Sequence, residues 1–589
     1  MKHLTTLAIL LATTSLASAA SNESFIVQAG QQNHALAVQN AGNNTQATVQ
    51  LGRHNGAVTL QNQASARNNQ SGTLQIGDYN GAVIGQTGGN NTQGTIQGGV
   101  GNFALTTQTG SQTPGKINDS TTAQFGVGNG SIVDQTDGNN KQNTLQIGAG
   151  NFAATTQGSA GNNHNTSSTT QFGGLNGAFV NQTGGNNDQS TLSVGVGNLA
   201  VTNQVGVNGS RTNDSTTLQF GAFNRSFVGQ TGGDNDQGTL QFGYGNLSLT
   251  GQNSNAQGST NTSATFQAGV GNKSITNQLS SGALSQQGTI VTFKHKTSDP
   301  YYTWGLFSGW SSLHAGIDES STSFTPITLA GYNGGVNTSA TIQVGVGNKA
   351  FTNQIAQGGR YGGGKTEFSL PSLLPVGYSQ KVNHFSLPDV YPSTYTSITT
   401  PDFLPVNAVD NNAATLQIGN KNTGVTLQSG ASVLPTSNNS LTAQIGDDNT
   451  AIASQVNGLN YQGTVQIGKG NVAATNQVQP YGGSLTANAA ATIQAGKYNR
   501  AFTSQSVANP LIAGMNGSLI AQIGNGNTAI AAQSTGMQPM IGALNTNTQA
   551  TVQVGNGNYA VTAQNSASVT NTSVTAQFGS GNHAITVQH

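Results

Sequence analysis

The chain of 589 residues is long enough for several ordinary domains, yet only 6% of its residues are charged and its formal net charge is zero. The lack of a basic excess argues against binding to nucleic acid, and no acidic run suggests a solvating tail. Without cysteine the chain has neither a disulfide framework nor a thiolate metal site. A polar chain of this kind is often disordered or prone to β-aggregation, unless an internal pattern orders it.

Residues 1–20 have the layout of a secretory signal peptide. Lys2 and His3 precede an apolar run at 4–12, and the small residues 17–19 (Ala-Ser-Ala) offer a cleavage site. The run is too short to span a bilayer and no second one follows, so we expect export without a membrane span. The mature chain is predicted to be secreted.

One frame of 18 residues then recurs nineteen times, in residues 21–278 (repeats 1–11), 337–354 (repeat 12) and 411–589 (repeats 13–19). With Gln146 as position 0, the copy at 140–157 has Asn at −6, Gly at +2, Asn at +5, Ala at +7 and Gln at +11. Asn −6, Gly +2, Asn +5 and Gln +11 occur in every repeat, whereas Ser193 replaces Gln 0 in repeat 8. Position +7 is always Ala, Ser or Gly.

Each repeat has the pattern of a strand, a tight turn and a second strand. The segment around position 0 alternates and is rich in Thr and aliphatic residues, which is typical of a strand, and the following G-x-x-N is turn chemistry. Two short strands cannot form a core alone, but stacked repeats can bury a continuous one. The sequence therefore predicts an all-β fold, a β-solenoid of about nineteen strand-turn-strand rungs.

Two insertions, 279–336 and 355–410, interrupt the repeats and differ from them in composition. They contain both tryptophans and eight of the thirteen prolines. All length variation falls between +11 of one repeat and −6 of the next, so both insertions leave from the same edge of the stack. Proline argues against continued sheet pairing there, which leaves either a disordered decoration or a small folded lobe. A glycan could bind Tyr301, Trp304 and Trp310.

The sequence leaves open which face of the strands is buried. One parity has Asn −6, Gln 0, Gly +2, Asn +5 and Gln +11; the other has apolar residues at −1, +1 and +8. Hydrophobicity favours burial of the apolar parity. The invariant Gly +2 and the small residue at +7 favour burial of the Asn/Gln parity, where two sheets would approach closely. We favour the second arrangement, in which stacked amides form ladders along the axis.

The early repeats also show a longer period of two rungs. Position −4 alternates between Ser and Gln, as in Ser71, Gln93, Ser120 and Gln142, and position +9 alternates between an aliphatic residue and Thr. We attribute this alternation to packing of large against small side chains in neighbouring rungs.

The frame resembles the curlin repeat, S-x5-Q-x-G-x-G-N-x-A-x3-Q, of the major and nucleator subunits of curli fibres. The resemblance covers nearly all of the mature chain outside the insertions, with Asn in place of the first Ser. It implies a secreted structural subunit that polymerises end to end into functional amyloid by edge-strand templating, for biofilm matrix and cell adhesion. The implied partner is a further copy or another curlin-like subunit, and no enzyme activity or cofactor is expected.

The predicted site residues fall into three groups. The ladder positions are represented by Asn69, Gln75, Asn80, Gln86, Asn140, Gln146, Asn151, Gln157, Asn213, Gln219, Asn224, Gln230, Asn547, Gln553, Asn558 and Gln564. The turn positions are represented by Gly77, Gly148, Gly221 and Gly555. With no capping segment evident, we expect the end strands to be open to pairing, through Asn22, Gln28, Gln39, Asn571, Gln577 and Gln588.

Other functions have weaker support in the sequence. A monomeric or surface-tethered adhesin rod could display the two insertions for ligand binding. The segment 232–236 (GGDND) has the composition of a calcium-binding turn, but its carboxylates do not recur in the equivalent turns. The Thr column at −2 resembles that of ice-binding solenoids. A β-helix enzyme acting on polysaccharide needs a carboxylate cluster, and the 18 acidic residues are dispersed.

Overall fold

The computed structural model describes the repeats almost completely, at residues 22–63, 67–111, 113, 115–159, 163–207, 211–254, 259–281, 335–357, 409–431, 436–479, 486–507, 514–535, 545–566 and 570–588. Short strands within the two insertions are described as well. The predicted signal peptide, Tyr301 and Trp310 lie outside the described residues, as does the side chain of Trp304. The described residues contain no helix, and they form two parallel sheets of nineteen strands each. The predicted all-β solenoid is confirmed.

Sheet 1 contains the first strand of every rung, which spans positions near −7 to +3. In chain order its strands are Asn22–Gln31, Asn43–Arg53, Asn68–Asp78, Asn90–Val100, Ile117–Val127, Asn140–Ala149, Asn165–Gly174, Asn186–Val196, Thr212–Ala222, Asn235–Tyr244, Thr260–Val270, Val336–Val346, Asp410–Asn420, Ser437–Asp447, Leu459–Lys469, Thr486–Lys497, Gly514–Asn525, Asn545–Asn556 and Thr570–Ser580.

Sheet 2 contains the second strand of every rung, from position +6 onward. Its strands are His34–Asn40, Gly56–Asn62, Gly81–Thr87, Phe103–Thr109, Gly130–Thr136, Phe152–Gly158, Gly177–Gly184, Leu199–Gly206, Arg225–Gly232, Leu247–Ser254, Lys273–Ser281, Lys349–Gln357, Thr423–Ala431, Thr450–Val456, Val472–Val478, Arg500–Val507, Thr528–Thr535, Tyr559–Ser566 and His583–Gln588.

The register between rungs places like positions of the frame beside each other. Gln50 pairs with Gln75 in sheet 1, and the same match continues along the stack. The insertions do not shift it, because Gln267 pairs with Gln343 and Gln343 pairs with Gln417. Each column of the frame is therefore a column in space, with the spacing of about 4.8 Å that separates neighbouring strands.

The turn between the two strands of a rung uses left-handed backbone at positions +2 and +4. In rung 6 these are Gly148, with φ 133°, and Gly150, with φ 66°. Glycine adopts such angles without steric cost, so the chain can turn immediately after the first strand of the rung. The second strand then returns antiparallel to the first and faces it across the core.

The core of the stack is polar. Asn, Gln, Ser and Thr fill most buried positions, and one small apolar cluster joins Ala501, Ile520, Ala529 and Ala531. The parity with Asn and Gln is the one that points inward. Buried amides are costly unless they are hydrogen-bonded, so this core depends on the side-chain pairing described below.

The part of each insertion that the structure describes contains two antiparallel strand pairs. Proline does not prevent pairing in the first insertion, because Pro326 lies opposite Thr289 in a two-stranded pair, where an edge position tolerates it. In the first insertion Gln286–Phe293 pairs with Thr322–Leu329, and Tyr302–Gly305 pairs with Ser312–Ala315. In the second, Thr366–Leu370 pairs with Thr396–Thr400, and Gln380–Val382 pairs with Phe385–Leu387.

Candidate functional site: amide ladders and end rungs

Two glutamine ladders run along the core, at positions 0 and +11, and both donate towards the C-terminal end. Gln75 accepts from Gln50 at 2.7 Å and donates through Nε2 to Gln97 Oε1 at 2.8 Å, while its second hydrogen reaches Gly56 O at 3.0 Å. Gln86 accepts from Gln61 at 2.7 Å. The same forward bond occurs at Gln146, Gln157, Gln219, Gln230, Gln553 and Gln564.

Two asparagine ladders, at −6 and +5, donate in the opposite direction. Asn69 Nδ2 donates back to Asn44 Oδ1 at 3.1 Å. At +5 the backbone N–H and Nδ2 of Asn80 both donate to Asn55 Oδ1, at 3.1 Å each. The same backward bonds join Asn140, Asn151, Asn213, Asn224, Asn547 and Asn558 to the preceding rung.

Opposite directions in the two kinds of ladder give the stack a polarity. Every interior junction combines glutamine donors from the N-terminal side with asparagine donors from the C-terminal side. In a rung that is turned over the amides would have to rotate to avoid donor against donor, and no rotation would restore the backbone N–H bonds to Asn Oδ1 at +5. The core therefore favours parallel stacking in one direction, which sequence reasoning did not foresee because residue identity alone gives no direction of donation.

The invariant glycine at +2 is required by close approach between rungs. A Cβ on Gly148, at φ 133°, would lie 1.8 Å from the carbonyl oxygen of Gly173 in the next rung. Gly77, Gly221 and Gly555 have φ between 113° and 128°, and a Cβ on each would lie 1.8 to 2.1 Å from the next glycine oxygen. Steric exclusion and left-handed backbone together account for the conservation of this position within the chain.

A second feature of the turn was missed by the sequence reading. At position +4 eight rungs have a residue other than glycine, all with φ between 54° and 58°: Gln32, His54, Tyr79, Leu175, Phe223, Lys421, Asp448 and Tyr498. Left-handed backbone is costly for such side chains. The available signal was the curlin frame itself, which has glycine there.

The two-rung period has a hydrogen-bonding basis as well as a packing one. Ser71 Oγ donates to Gln93 Oε1 of the next rung at 3.1 Å, and Gln93 then donates to Thr95 Oγ1 within its own rung. Ser120 and Gln142 repeat the arrangement at 2.9 Å. In rungs 11 and 12 serine follows serine, and the hydroxyls of Ser263, Ser339 and Thr341 have no partner among the described residues.

Within the described residues, the two end rungs present the same side chains but have a neighbouring rung on one side only. In rung 1, Asn22 and Gln28 are exposed and Gln39 is half-buried. In rung 19, Asn571 and Gln577 remain buried, whereas Gln588 is half-buried. Gln577 Nε2 donates to Tyr559 O at 3.0 Å and Gln588 Nε2 donates to Thr572 O at 2.9 Å, and within the described stack neither has a glutamine ahead of it.

Most charged residues of the rungs lie on the outside of the stack, although Lys116 is buried. Desolvation by the flanking rungs raises the pKa of Asp214, and the carboxylates of Asp188 and Asp236 in the adjacent rungs raise it further. Partial burial also raises the pKa of Asp119 and of Asp410. A side-chain hydrogen bond from Arg53, 3.0 Å away, lowers the pKa of Asp78.

No metal-binding cluster is present among the described residues. They contain no group of three His, Asp or Glu side chains that could hold a metal ion. In the calcium-like turn, the carboxylate of Asp234 is engaged by Arg211 Nε at 2.8 Å. No helix capable of crossing a membrane occurs in the ranges that the structure describes.

Comparisons with known proteins leave the resemblance to curlin repeats resting on the residues themselves. No protein-family model matches the chain, and no curated protein is similar to it.

Proposed function

We propose that the mature protein is a secreted structural subunit that polymerises end to end into a curli-like functional amyloid, serving biofilm matrix and cell adhesion. The observation that supports this proposal is the complementarity of the two end rungs. Rung 19 offers donors at Gln577 and Gln588 and acceptors at Asn571 and Asn582. Rung 1 offers the matching acceptors at Gln28 and Gln39 and the matching donors at Asn22 and Asn33.

A junction between copies would reproduce an interior junction. Interior rungs are joined by forward glutamine bonds of 2.7 to 2.9 Å at Gln50, Gln61 and Gln86 and by backward asparagine bonds at the other two ladders. The C-terminal end of one copy and the N-terminal end of another have the same sets of groups in the same columns. Edge-strand addition of this kind is a general mode of β-augmentation.

The proposal is tested with charges placed at the junction. Gln588 of one copy would face Gln39 of the next, and both side chains are half-buried at the end of the stack. The double variant Gln39→Lys/Gln588→Lys should fail to grow end to end, since like charges would meet at the junction. The matched variant Gln39→Glu/Gln588→Lys should assemble, and more weakly at high salt. Thioflavin fluorescence, sedimentation and a cross-β reflection near 4.8 Å report assembly.

The two variants also separate the possible polarities. Addition of N-terminal end to N-terminal end would bring Glu against Glu in the second variant and abolish its assembly. Failure of the wild-type protein to assemble at any concentration would refute the proposal. Equal assembly of both variants would show that the junction lies elsewhere.

A monomeric or surface-tethered adhesin rod is the second candidate function. The observation in its favour is that both insertions contain paired strands of their own and leave the stack at the same edge of the frame. Deletion of 279–336 and 355–410 distinguishes the two functions. Loss of adhesion with fibres retained would assign ligand binding to the insertions; loss of fibres would assign them a part in assembly.

A further inference from the structure

The outer face of sheet 1 has two adjacent columns of apolar side chains along the whole stack. They occupy positions −1 and +1, which point away from the core. Apart from Thr170 and Gly98, all of these residues are Ala, Val, Leu, Ile or Phe. Only Leu74 among them is buried; the others are half-buried or exposed, for example Ile147 at 40% and Ile523 at 52%. We call these two columns the apolar stripe.

The column beside the apolar stripe is small and uncharged. Position −3 is Gly, Ala, Ser or Thr in rungs 2 to 13, apart from Asn143. None of the positions −3, −1 and +1 has a charged residue in any of the nineteen rungs. The result is a ridge of larger side chains next to a shallow groove, without any charge that would have to be desolvated on contact.

Sheet 2 does not have such a surface. Its outward column at +8 is apolar, but it is a single column. The neighbouring column at +6 includes Arg225, Lys273, Lys349 and Arg500, and the column at +10 is largely polar. The two faces of the same stack therefore differ in charge and in the width of exposed apolar surface.

We propose that the apolar stripe is a lateral interface at which a second copy of this chain packs, sheet 1 against sheet 1. Nineteen rungs at about 4.8 Å give a stripe about 90 Å long. With a width of about 10 Å, two copies would bury about 1,800 Å² in total, within the range of stable specific interfaces. Each copy would contribute half of this area, and an exposed apolar surface of that extent is typical of an interaction site.

The spacing of the stripe favours a second copy over an unrelated partner. The ridge repeats at every rung and the groove runs beside it in rungs 2 to 13, and another stacked sheet has the same repeat of about 4.8 Å. Side chains of one copy could therefore enter the spaces between rungs along the full length. Axial stacking alone does not cover the ridge, since Phe220 and Phe242 stack with centroids 5.0 Å apart and Phe242 remains 39% exposed.

This interface is independent of the end junctions, because it lies on the side of the stack. It is tested in the end-blocked background, Gln39→Lys/Gln588→Lys, by sedimentation equilibrium and by the cross-sectional radius from solution scattering. The background protein should be a side-by-side dimer. Lysine on the stripe should raise the dissociation constant about 100-fold or more, since each charge would be buried unpaired. The stripe substitutions are Ile147→Lys, Phe242→Lys, Ile418→Lys and Ile467→Lys.

A matched control places lysine on sheet 2 at positions of similar exposure and should leave the dimer intact. The control substitutions are Ile132→Lys, Ile275→Lys, Ile452→Lys and Phe502→Lys, at residues that are 37% to 40% exposed. A monomer up to about 100 μM in the background, or a dimer broken by the control set and not by the stripe set, would overturn the interface. If the end junctions are wrong instead, wild-type protein would form dimers without growing in length.

Discussion

Interior rungs and end rungs have the same frame but not the same physical environment. Gln50 in rung 2 is fully buried, accepts from Gln28 at 2.6 Å and donates to Gln75 at 2.7 Å. Among the described strands, Gln28 has only the following rung beside it and Gln588 only the preceding one. An interior rung satisfies its amides because it has two neighbours. Each rung therefore supplies one side of two junctions, and the hydrogen bonds of its core amides are all satisfied only when it has a rung on both sides.

The difference teaches that stability in this stack comes from junctions rather than from rungs. A conventional core tolerates a polar surface at its boundary, whereas here the boundary has the groups of the interior. Repeat proteins that stay monomeric cover such ends with atypical rungs. Substitutions should accordingly have effects that depend on whether a junction exists at the position changed.

The largest expected effect is at the turn glycine. Gly148→Ala should destabilise the junction between rungs 6 and 7 by more than about 3 kcal/mol. The new Cβ would collide with the Gly173 oxygen, and the alanine would also have to adopt a positive φ that strains its backbone. Gly579→Ala should cost only about 1–2 kcal/mol of backbone strain, because the nearest atom to its Cβ is Asn582 Nδ2 at 3.7 Å. Hydrogen exchange in the flanking rungs measures both.

The contrast between these variants also bears on assembly. In a head-to-tail fibre Gly579 would face Gly30 of the next copy, so Gly579→Ala should fold and fail to extend. Equal destabilisation by the two substitutions in the monomer would contradict the account of close approach between rungs.

A smaller effect, a gain in stability, is expected at the junction of rungs 11 and 12, where the hydroxyls of Ser263, Ser339 and Thr341 have no hydrogen-bond partner among the described residues. Ser339→Gln should stabilise these rungs by about 1–2 kcal/mol, because the new side chain can accept from Ser263 and donate to Thr341. Thr352 at +9 leaves room, as Thr106 does beside Gln93. Slower hydrogen exchange in these rungs is the measurement.

The matched control for this change is Ser71→Gln. Ser71 already donates to Gln93 at 3.1 Å, and the larger Ile84 occupies +9 of its rung. Overpacking should therefore destabilise the control. Stabilisation by both substitutions, or by neither, would show that the unpaired hydroxyls are not the cause.

The smallest effect is expected on the outside, where stacking brings like charges together. The folded state raises the pKa of Asp214, so its ionisation opposes folding, and stability should increase as pH falls from that pKa towards the unfolded value of about 3.9. Asp214→Asn should remove this part of the pH dependence in thermal melts.

Asp78 provides the control of opposite sign. Its pKa is lowered by Arg53, so its contribution is present at neutral pH and is lost as pH falls through the folded pKa. Asp78→Asn should therefore weaken the protein at neutral pH. A rise in stability at neutral pH in both variants would contradict these assignments.

Repetition made the fold predictable, and the columns of the frame identified which residues would stack. Gly +2 and the small residue at +7 favoured the inward parity against hydrophobicity, because small residues allow two sheets to approach closely. The structure shows that Gly +2 instead serves the close approach between rungs. The direction of the ladders was not predictable, since an amide side chain can donate either way. That direction depends on atoms from adjacent rungs. The left-handed backbone at Tyr498 was missed for a different reason, because its only signal was the glycine that the curlin frame has at the same position.

Electron cryo-microscopy of assemblies of the mature protein tests the central claim most directly. Head-to-tail joining of nineteen rungs predicts that density from the two insertions recurs every 90 Å or so along one edge, always in the same direction along the fibre. Insertion density that alternates in direction from one copy to the next would show head-to-head joining and contradict the claim. Protein that remains as single rods at high concentration would also contradict it.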